Sequence, residues 1–431
     1  MSLTNCAPKL REVPDSLAAL ARHILFPALP AVLRHVACEE RALDLLSAFG
    51  TGEMRFFGIE VPLRPGEGGF DLGVNFTEKG GSGARLARDL AEDLASGALV
   101  GEAWTRCAAM LQAWCAGEAR GVIDRVWLEF DLRRGGAAAY QPNIFAGPAD
   151  SITTEAFAAQ LPDWFDRMTG TPPDAARAAS IRRLARGTGQ GVAVFQAGAM
   201  IARPGAPVRL CLRCQTPVLD SGVVELLDDT TAEILRREAA WLSPLVPSID
   251  VAIDVLPDGN LVPRLGLEAR FEMEAGVEAV EAGVAALGAA LVARGLADPA
   301  RAAALGAVEG LHLRPANGGY WPNSLRVTEA LTNQTRLGVI MHGLHHVKVT
   351  ANRAGEAEAK AYLYYAIESL PAVLLPTANQ AIGAADSAAS PLRAVKREAD
   401  PEPRIQAAMP ASDAASESDC SAQPASSSAS R

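Results

Sequence analysis

The sequence predicts an α+β protein built on a ten-stranded antiparallel β-barrel surrounded by helices, and three observations support this fold class. Helical stretches alternate with pairs of strand-like runs, and the cycle occurs five times along the chain. Four of the five strand pairs are joined by segments rich in Gly, Pro, Asp or Asn, the residues of tight turns. Within the strand-like runs apolar and polar residues alternate, so one face of the predicted sheet is aliphatic and the other is charged.

The predicted elements follow one another in a regular order. Each helical stretch precedes its own two strands: 17–49 before 54–63 and 70–76, 84–117 before 122–132 and 140–145, 154–185 before 191–202 and 208–212, 223–242 before 249–256 and 261–272, and 277–311 before 346–351 and 359–365. Hairpins separated by helices favour an antiparallel sheet, because a doubly wound parallel sheet alternates single strands with helices. An antiparallel sheet of about ten strands tends to curl and close.

The alternation also predicts which face of the sheet the helices cover. In 249–255 the apolar residues point one way and Asp250 and Asp254 the other, and in 126–132 Trp127 and Glu129 oppose an aliphatic set. Helices need an apolar partner, so they are expected on the aliphatic face. The polar face then lies either in solvent, on an open half-covered sheet, or inside a closed barrel. Aromatic residues and both signs of charge at matched positions favour the lumen of a barrel.

The sequence predicts one folded domain over residues 1–370 and a disordered tail over 371–431. The tail is rich in Ala, Ser and Pro and lacks apolar periodicity. Such a segment cannot bury enough apolar surface to offset the entropy lost on ordering.

Composition excludes several classes of protein. The 431 residues carry 40 Lys and Arg against 50 Asp and Glu, a net charge of −10, so the basic surplus of a non-specific nucleic-acid binder is absent. Apolar stretches are interrupted well before the ~18 residues of a membrane-spanning helix, and the first residues show no secretory signal. Seven scattered cysteines suit a reducing compartment. We therefore expect a cytoplasmic protein that neither binds nucleic acid nor inserts into a membrane.

Three short segments are similar to one known family. The strand VRLCLR (208–213) is similar to a basic strand of the dimethylallyltryptophan synthases, AKAYLYY (359–365) resembles their Lys-x-Tyr strands, and GIEV (58–61) resembles the acidic position of their first strand. With the repeated helix–hairpin order, the chain resembles the ABBA, or PT-barrel, prenyltransferases over about residues 17–368. The resemblance implies transfer of a prenyl group from an allylic diphosphate to an aromatic or nitrogenous acceptor, either a small molecule or a peptide.

That chemistry requires particular side chains in the lumen. The leaving diphosphate needs cations and hydrogen-bond donors, because its charge grows as the bond breaks. Residues of these types that the polar faces present are Arg209, Arg213, Arg270, Lys348, Lys360 and Tyr362. Aromatic faces stabilise an allylic cation, and Trp127, Tyr362 and Tyr364 are predicted to supply them. For the base that accepts the acceptor's proton, the resemblance indicates Glu60, with Glu129 as the second candidate. No metal or other cofactor is required.

The predicted lumen is more acidic than a diphosphate site needs. Its carboxylates are Asp71, Glu129, Asp131, Asp250, Asp254, Glu268 and Glu272. They are compatible with Mg²⁺ bridging the diphosphate. They are equally compatible with a cationic acceptor, such as a guanidinium or an amine, for which Glu129 and Asp131 would be bidentate partners. The same acidity supports an alternative from another class: a non-catalytic cavity protein that binds a cationic peptide or metabolite.

A histidine cluster lies ahead of the last predicted strands. His342, His345 and His346 have the i, i+3, i+4 spacing of ligands on one helix face. The sequence places them at a helix-to-strand junction, where the three need not share a face. A cationic role at a helix C-terminus is therefore favoured over a metal site.

Overall fold

The computed structural model of the chain contains a closed antiparallel barrel surrounded by helices, which confirms the predicted fold class. The structure describes residues 15–51, 56–64, 66–77, 82–118, 122–148, 154–170, 174–185, 191–203, 205–214, 217–271 and 277–375. Glu272 lies outside the described residues, and so does the predicted tail from residue 376 onward.

Eleven strands are found in the described part of the chain. They are β1 (Phe56–Pro62), β2 (Asp71–Thr77), β3 (Ile123–Phe130), β4 (Pro142–Pro148), β5 (Val192–Ala199), β6 (Val208–Cys214), β7 (Ser248–Val255), β8 (Leu261–Arg270), β9 (Gly310–Leu313), β10 (Arg336–Asn352) and β11 (Ala357–Pro371). Strands β1 to β8 pair in sequence order, β8 pairs with β10, β10 with β11, and β11 with β1, so ten strands close the barrel. The remaining strand, β9, pairs with β10 at residues that β8 does not reach.

Each of the five barrel hairpins is preceded by helices, as the predicted cycle requires. The helices are α1 (Leu17–Leu20), α2 (Phe26–Ala28) and α3 (Val36–Leu46) before β1; α4 (Ser82–Ala95) and α5 (Glu102–Cys115) before β3; α6 (Thr154–Thr169) and α7 (Ala175–Ala185) before β5; α8 (Asp229–Leu242) before β7; and α9 (Val277–Ala293), α10 (Pro299–Ala304) and α11 (Asn323–Leu331) before β10. None of the helices in the described ranges is long and apolar enough to cross a bilayer.

The main hydrophobic core lies between the outer face of the barrel and the helices. One continuous cluster joins outward strand residues such as Ile59, Leu128 and Leu267 with helix residues such as Trp104 and Leu235. Because side chains alternate along a strand, the charged residues between these positions point into the barrel. The aliphatic face is thus the one that the helices cover, as the alternation predicted.

A second, smaller apolar cluster lies on the inward face of the β10–β11 hairpin. It contains Val339, Met341, Ala366, Leu370 and Leu375, with partly buried residues of β9 packed against it. These residues belong to the first half of β10 and the last part of β11, at the end of the barrel where β1 begins. The inward face of this hairpin is therefore largely hydrocarbon beyond the point where β1 begins.

Two sequence expectations in this region are wrong. The stretch 277–311 is not one helix: α9 ends where Gly295 adopts a φ of 68°, and α10 begins after Asp298 caps its first amides. The three histidines do not lie at a helix-to-strand junction, because β10 starts at Arg336 and runs through all of them. A bulge between Leu344 and His346 interrupts the alternation of side chains along β10. His342 and His346, which would otherwise share a face of the strand, therefore point to opposite faces, and His346 faces the lumen.

The β7–β8 turn is fixed against α7 by a close backbone approach at Gly259. This residue has a φ of 84°, and a Cβ added to it would lie 2.6 Å from the backbone carbonyl of Ala176. The Ser180 hydroxyl donates a hydrogen bond to the Gly259 carbonyl oxygen at 2.7 Å. Glycine is required here both for its backbone conformation and for lack of space.

Gly259→Ala should therefore destabilise the fold more than an alanine substitution at a glycine that has a positive φ but free space around it. Gly355, in the β10–β11 turn, has a φ of 83° and no neighbour within 4 Å of an added Cβ, so Gly355→Ala is the matched control. We expect about 1–2 kcal/mol of destabilisation for the control, and clearly more for Gly259→Ala, in urea denaturation. Equal losses would contradict the contact with α7.

Candidate active site

The inward side chains of the barrel line a lumen that retains solvent contact. Glu60, Trp127, Glu129, Tyr362 and Tyr364 are all half-buried, although helices and strands enclose them on every side. Outward neighbours in the same strands, by contrast, are fully buried. Partial exposure at inward positions means that there is space inside the barrel.

Glu60 of β1 is the centre of one polar cluster. Its two carboxylate oxygens accept hydrogen bonds from the Lys360 ammonium and the Tyr362 hydroxyl, both on β11. Tyr362 lies directly opposite Glu60 in the β1–β11 register. Burial alone would raise the pKa of Glu60, but the charge of Lys360 and these hydrogen bonds outweigh it and hold that pKa well below its usual range. Glu60 is therefore ionised at neutral pH.

Arg209 and Lys348 are each held by a carboxylate on the neighbouring strand. Arg209 of β6 forms two hydrogen bonds, of 2.7 and 2.9 Å, with Asp254 of β7. Lys348 of β10 donates to Glu268 of β8 at 2.9 Å. Both pairs are directly opposite in their registers, so strand pairing itself brings the charges together. Burial would raise the pKa of Glu268, but Lys348 lowers it to about 2.

Arg213 and Arg270 share one acidic partner. Each places a guanidinium nitrogen 3.4 Å from the same oxygen of Asp250, whose side chain is only 1 % exposed. The Arg213 guanidinium also lies over the ring of Phe195, 4.6 Å from its centre. All six predicted diphosphate-binding residues thus lie on the lumenal face, and the cations among them are already paired with carboxylates.

Glu129 of β3 differs from the other lumenal carboxylates. No described side chain or amide donates a hydrogen bond to it, although Arg209, Arg203 and Lys348 lie close enough to act on it electrostatically. Burial and the neighbouring charge of Glu60 raise the pKa of Glu129 to about 7 in spite of these cations. It is therefore a carboxyl group that gains and loses its proton near neutral pH.

The three residues predicted to contact the acceptor or the carbocation have different surroundings. Trp127 faces the lumen across from Phe145 of β4. The ring of Tyr364 is parallel to that of Phe56, at an interplanar angle of 4° and a centroid distance of 6.1 Å. Asp131 lies just beyond β3 and is bound by Arg203 through hydrogen bonds of 2.7 and 2.9 Å. Its carboxylate is thus engaged by the protein itself.

A second arginine closes the same end of the barrel, where β1 ends. Arg133 donates to Asp71 at 2.9 Å through its side chain and at 3.2 Å through its backbone amide. Burial, followed by the charge of Glu60, nevertheless raises the pKa of Asp71 to about 6. Two ion pairs, of Arg133 and of Arg203, therefore lie at this end of the lumen.

Sequence reasoning missed Arg203 at this site and assigned His346 a cationic role at a helix end instead. Arg203 lies in the turn after β5, where alternation carries no information about direction. His346 stacks on Tyr362 at 4.1 Å and lies 3.8 Å from Glu268. Burial lowers the pKa of His346 to about 3, so the ring is neutral. Its place in phase with Lys348 was the signal that could have identified it.

Most of the described lumenal carboxylates have a cation of the protein itself as their partner. Within the described ranges, no three His, Cys, Asp or Glu side chains come together as metal ligands. Arg and Lys side chains occupy the carboxylates of Glu60, Asp254 and Glu268 instead. No step through a metal ion is therefore assigned to this site.

Removing Lys348 should destabilise the barrel strongly, because Glu268 would remain buried without its partner. We expect Lys348→Met to lower the free energy of unfolding by about 3–5 kcal/mol, and the addition of Glu268→Gln to recover much of that loss. Arg106→Met removes an ion pair with Glu102, whose side chain is 81 % exposed, and should cost less than about 1 kcal/mol. Similar losses for the two single variants, measured by urea denaturation, would contradict the buried pair.

Glu129 and Glu60 should affect stability with opposite signs as the pH changes. The pKa of Glu129 rises on folding from an unfolded value of about 4.3 to about 7. It therefore stabilises the fold below pH ~4.3, and this contribution is lost as the pH rises through 7. Glu129→Gln should raise Tm relative to the wild type at pH 8 and leave it unchanged at pH 4.

Glu60→Gln is the matched opposite case. Because folding lowers the pKa of Glu60, its contribution is present above pH ~4.3 and lost as the pH falls below it. This variant should lower Tm at pH 8. Shifts of the same sign in both variants would show that the two carboxyl groups do not have the environments described.

Comparison with known proteins gives a likeness of fold only. No family model and no curated sequence matches the chain. The crystal structure of 6-dimethylallyltryptophan synthase from Micromonospora olivasterospora in complex with DMASPP and Trp is 15 % identical, with a TM-score of 0.43, covering 71 % of this chain and 81 % of that one. A second 6-dimethylallyl tryptophan synthase is 14 % identical, with a TM-score of 0.42 and coverage of 71 % and 80 %. The chain is thus weakly similar to these synthases, and its chemistry rests on its own lumenal residues.

Proposed function

We propose that this protein transfers a prenyl group from an allylic diphosphate to an aromatic or nitrogenous acceptor, a small molecule or a peptide, bound in the barrel. One observation carries the proposal: Arg209, Lys348, Lys360 and Tyr362 line a single enclosed lumen together with Glu129, a carboxyl group with a pKa near neutrality. Cations for a leaving anion and a base for a departing proton are the two requirements of this transfer.

The paired cations retain capacity for the diphosphate. An arginine has five N–H donors and a lysine three, and one carboxylate uses only some of them. In the absence of ligand the carboxylates compensate charges that would be costly to bury alone. The acidic partners thus explain how a basic site persists in a closed barrel.

We assign the proton-accepting role to Glu129. In the transfer, the C1–O bond of the donor breaks and diphosphate leaves with the electron pair. A bond then forms between C1 and the acceptor, which releases its proton to Glu129. A base is most effective when its pKa lies near the working pH, as that of Glu129 does. Glu60, the first candidate from the resemblance, instead orients Lys360 and Tyr362 towards the donor.

The aromatic residues have a separate role in the proposal. The faces of Trp127, Tyr362 and Tyr364 stabilise the allylic cation without reacting with it, since a π-face attracts positive charge. Half-buried side chains at these positions have open lumen beside them. The apolar cluster at Val339 and Met341 offers hydrocarbon surface for the rest of the prenyl chain.

The direct test is incubation with dimethylallyl or geranyl diphosphate and a panel of acceptors that includes L-tryptophan, with mass detection of products. Lys360→Met and Arg209→Met should lower turnover about 10- to 100-fold, the scale of a charge-assisted hydrogen bond. Arg88→Met, on the outer surface of α4 with a side chain 65 % exposed, is the control and should leave turnover unchanged. Product formation that is insensitive to both lumenal variants would overturn the assignment.

Binding of inorganic pyrophosphate should depend on the charge of Glu129. At pH 8 this carboxylate is ionised and repels the anion, whereas at pH 5.5 it is protonated. Glu129→Gln should therefore bind pyrophosphate more tightly than the wild type at pH 8, by up to about tenfold, and equally at pH 5.5. Titration calorimetry at both pH values measures this. The protonation of pyrophosphate itself also changes between the two pH values. This change affects both proteins equally, so it does not alter the ratio of their dissociation constants.

The alternative, a non-catalytic protein that holds a cationic ligand, is favoured by a single observation: no described side chain or amide donates a hydrogen bond to the carboxyl group of Glu129. It predicts the opposite result in the same experiments. Arginine or an amine would bind in the lumen, pyrophosphate would not, and no donor would be consumed.

A further inference from the structure

One level of the lumen has a floor without side chains. Gly58 of β1 and Gly73 of β2 lie directly opposite each other in the register. On one side Gly58 pairs with Tyr364 of β11, and on the other Gly73 pairs with Glu129 of β3. The flanking strands are three strand spacings apart, about 14 Å. Bare backbone between an aromatic ring and a carboxylate therefore forms a recess in the wall.

The fold gives no reason for glycine at position 73. Its φ lies outside the left-handed region, and an added Cβ would have only ordinary contacts, 3.9 Å from Cγ of Glu129 and 4.0 Å from the carbonyl oxygen of Gly58. At Gly58, by contrast, a Cβ would lie 3.0 Å from the carbonyl oxygen of Leu363. Glycine weakens the interior of a strand and often marks close approach of a ligand.

Other glycines on the inward face have a visible structural role. In each case a neighbouring side chain occupies the space that a Cβ would need: Trp127 at Gly147, Phe145 at Gly198 and Lys348 at Gly266. Gly73 differs from these three, because no side chain of the described residues fills its space. The space at Gly73 is therefore available to a ligand.

A second observation at the same level points to a ligand. Asn143 of β4 pairs with Glu129 in the register, and its side chain is 0 % exposed. Its Oδ1 accepts a hydrogen bond from the Ala202 amide at 3.1 Å, which fixes the orientation of the amide group. Its Nδ2 has no hydrogen-bond partner among the described residues. Buried donors in native proteins are nearly always satisfied, so an unpaired one needs an explanation.

The register thus places an acceptor, Glu129, and a donor, Asn143, on opposite residues of neighbouring strands, with the donor buried in the wall. Opposite residues in an antiparallel pair have Cβ atoms about 4.5–5.5 Å apart. A group that carries an N–H beside a carbonyl oxygen would donate to the carboxylate and accept from the amide. A flat ring attached to that group would lie on the bare floor. Lactams, cyclic imides and cyclic amides have both features.

We infer that the Gly58–Gly73 recess is the acceptor subsite, that it takes a flat ring whose edge carries an N–H next to a carbonyl oxygen, and that Gly73 sets the size of that ring. The inference rests on the proposed function in that it names the acceptor half of the same reaction. Binding itself, however, requires neither donor nor turnover.

The test is titration calorimetry of the full chain with 2-quinolinone in the absence of diphosphate. N-methyl-2-quinolinone keeps the ring and the carbonyl oxygen but lacks the N–H, so it should bind about tenfold more weakly or worse. Gly73→Leu should weaken 2-quinolinone binding about tenfold or more, because the side chain fills the recess. Thr77→Leu adds the same side chain to the same face of β2, about 13 Å along the strand, and should leave binding unchanged.

Gly73→Ala is the control for folding. It should keep or raise Tm, because the added methyl group meets no close contact. Equal binding of the two quinolinones, or equal effects of Gly73→Leu and Thr77→Leu, would overturn the inference. Binding with the expected pattern but no prenyl transfer to any acceptor would refute the proposed function and leave the recess standing. Prenyl transfer that Gly73→Leu does not impair would refute the recess as the acceptor subsite and leave the proposed function standing.

Discussion

Closure of the sheet between β1 and β11 is the constraint on which the rest of the structure depends. Seven residue pairs join these strands, from Phe56 opposite Ala366 to Pro62 opposite Lys360. In an open sheet, β1 and β11 would be opposite edges, and Glu60 would lie far from Lys360 and Tyr362. Once they pair, ten polar strand faces share one enclosed space. Every charge on those faces must then find a partner or a ligand, because water is limited there.

This constraint accounts for the unusual acidity of the lumen. The acids are placed by register rather than by a separate binding site: Asp254 lies opposite Arg209, and Glu268 lies opposite Lys348. The arrangement lets β6 and β10 carry cations inward, each with a carboxylate opposite it. Glu129, by contrast, lies opposite neutral residues on both sides, Gly73 and Asn143. A titratable group therefore arises where the pairing scheme is incomplete.

Much of the fold could be predicted because one rule, the alternation of side chains along a strand, decides both the class and the facing of the strands. That rule assigns a direction to Arg209 or Lys360 but not a partner, since register depends on all ten strands together. The long first half of β10 was not predicted, because Gly338, His342 and Gly343 interrupt its apolar pattern. Gly73 could not be recognised as part of a site, since the sequence does not show what surrounds a glycine.

The uneven lining of the barrel has a consequence for the water inside it. Ion pairs of Arg133 and Arg203 lie where β1 ends, and the cluster of Arg213, Asp250 and Arg270 lies on β6, β7 and β8. The apolar cluster around Met341 and Leu370 lies on β10 and β11. The wall of the lumen is therefore polar along some strands and apolar along others. Water in the lumen is bound along the charged strands and excluded from the hydrocarbon of β10 and β11, so it does not hydrate the barrel evenly.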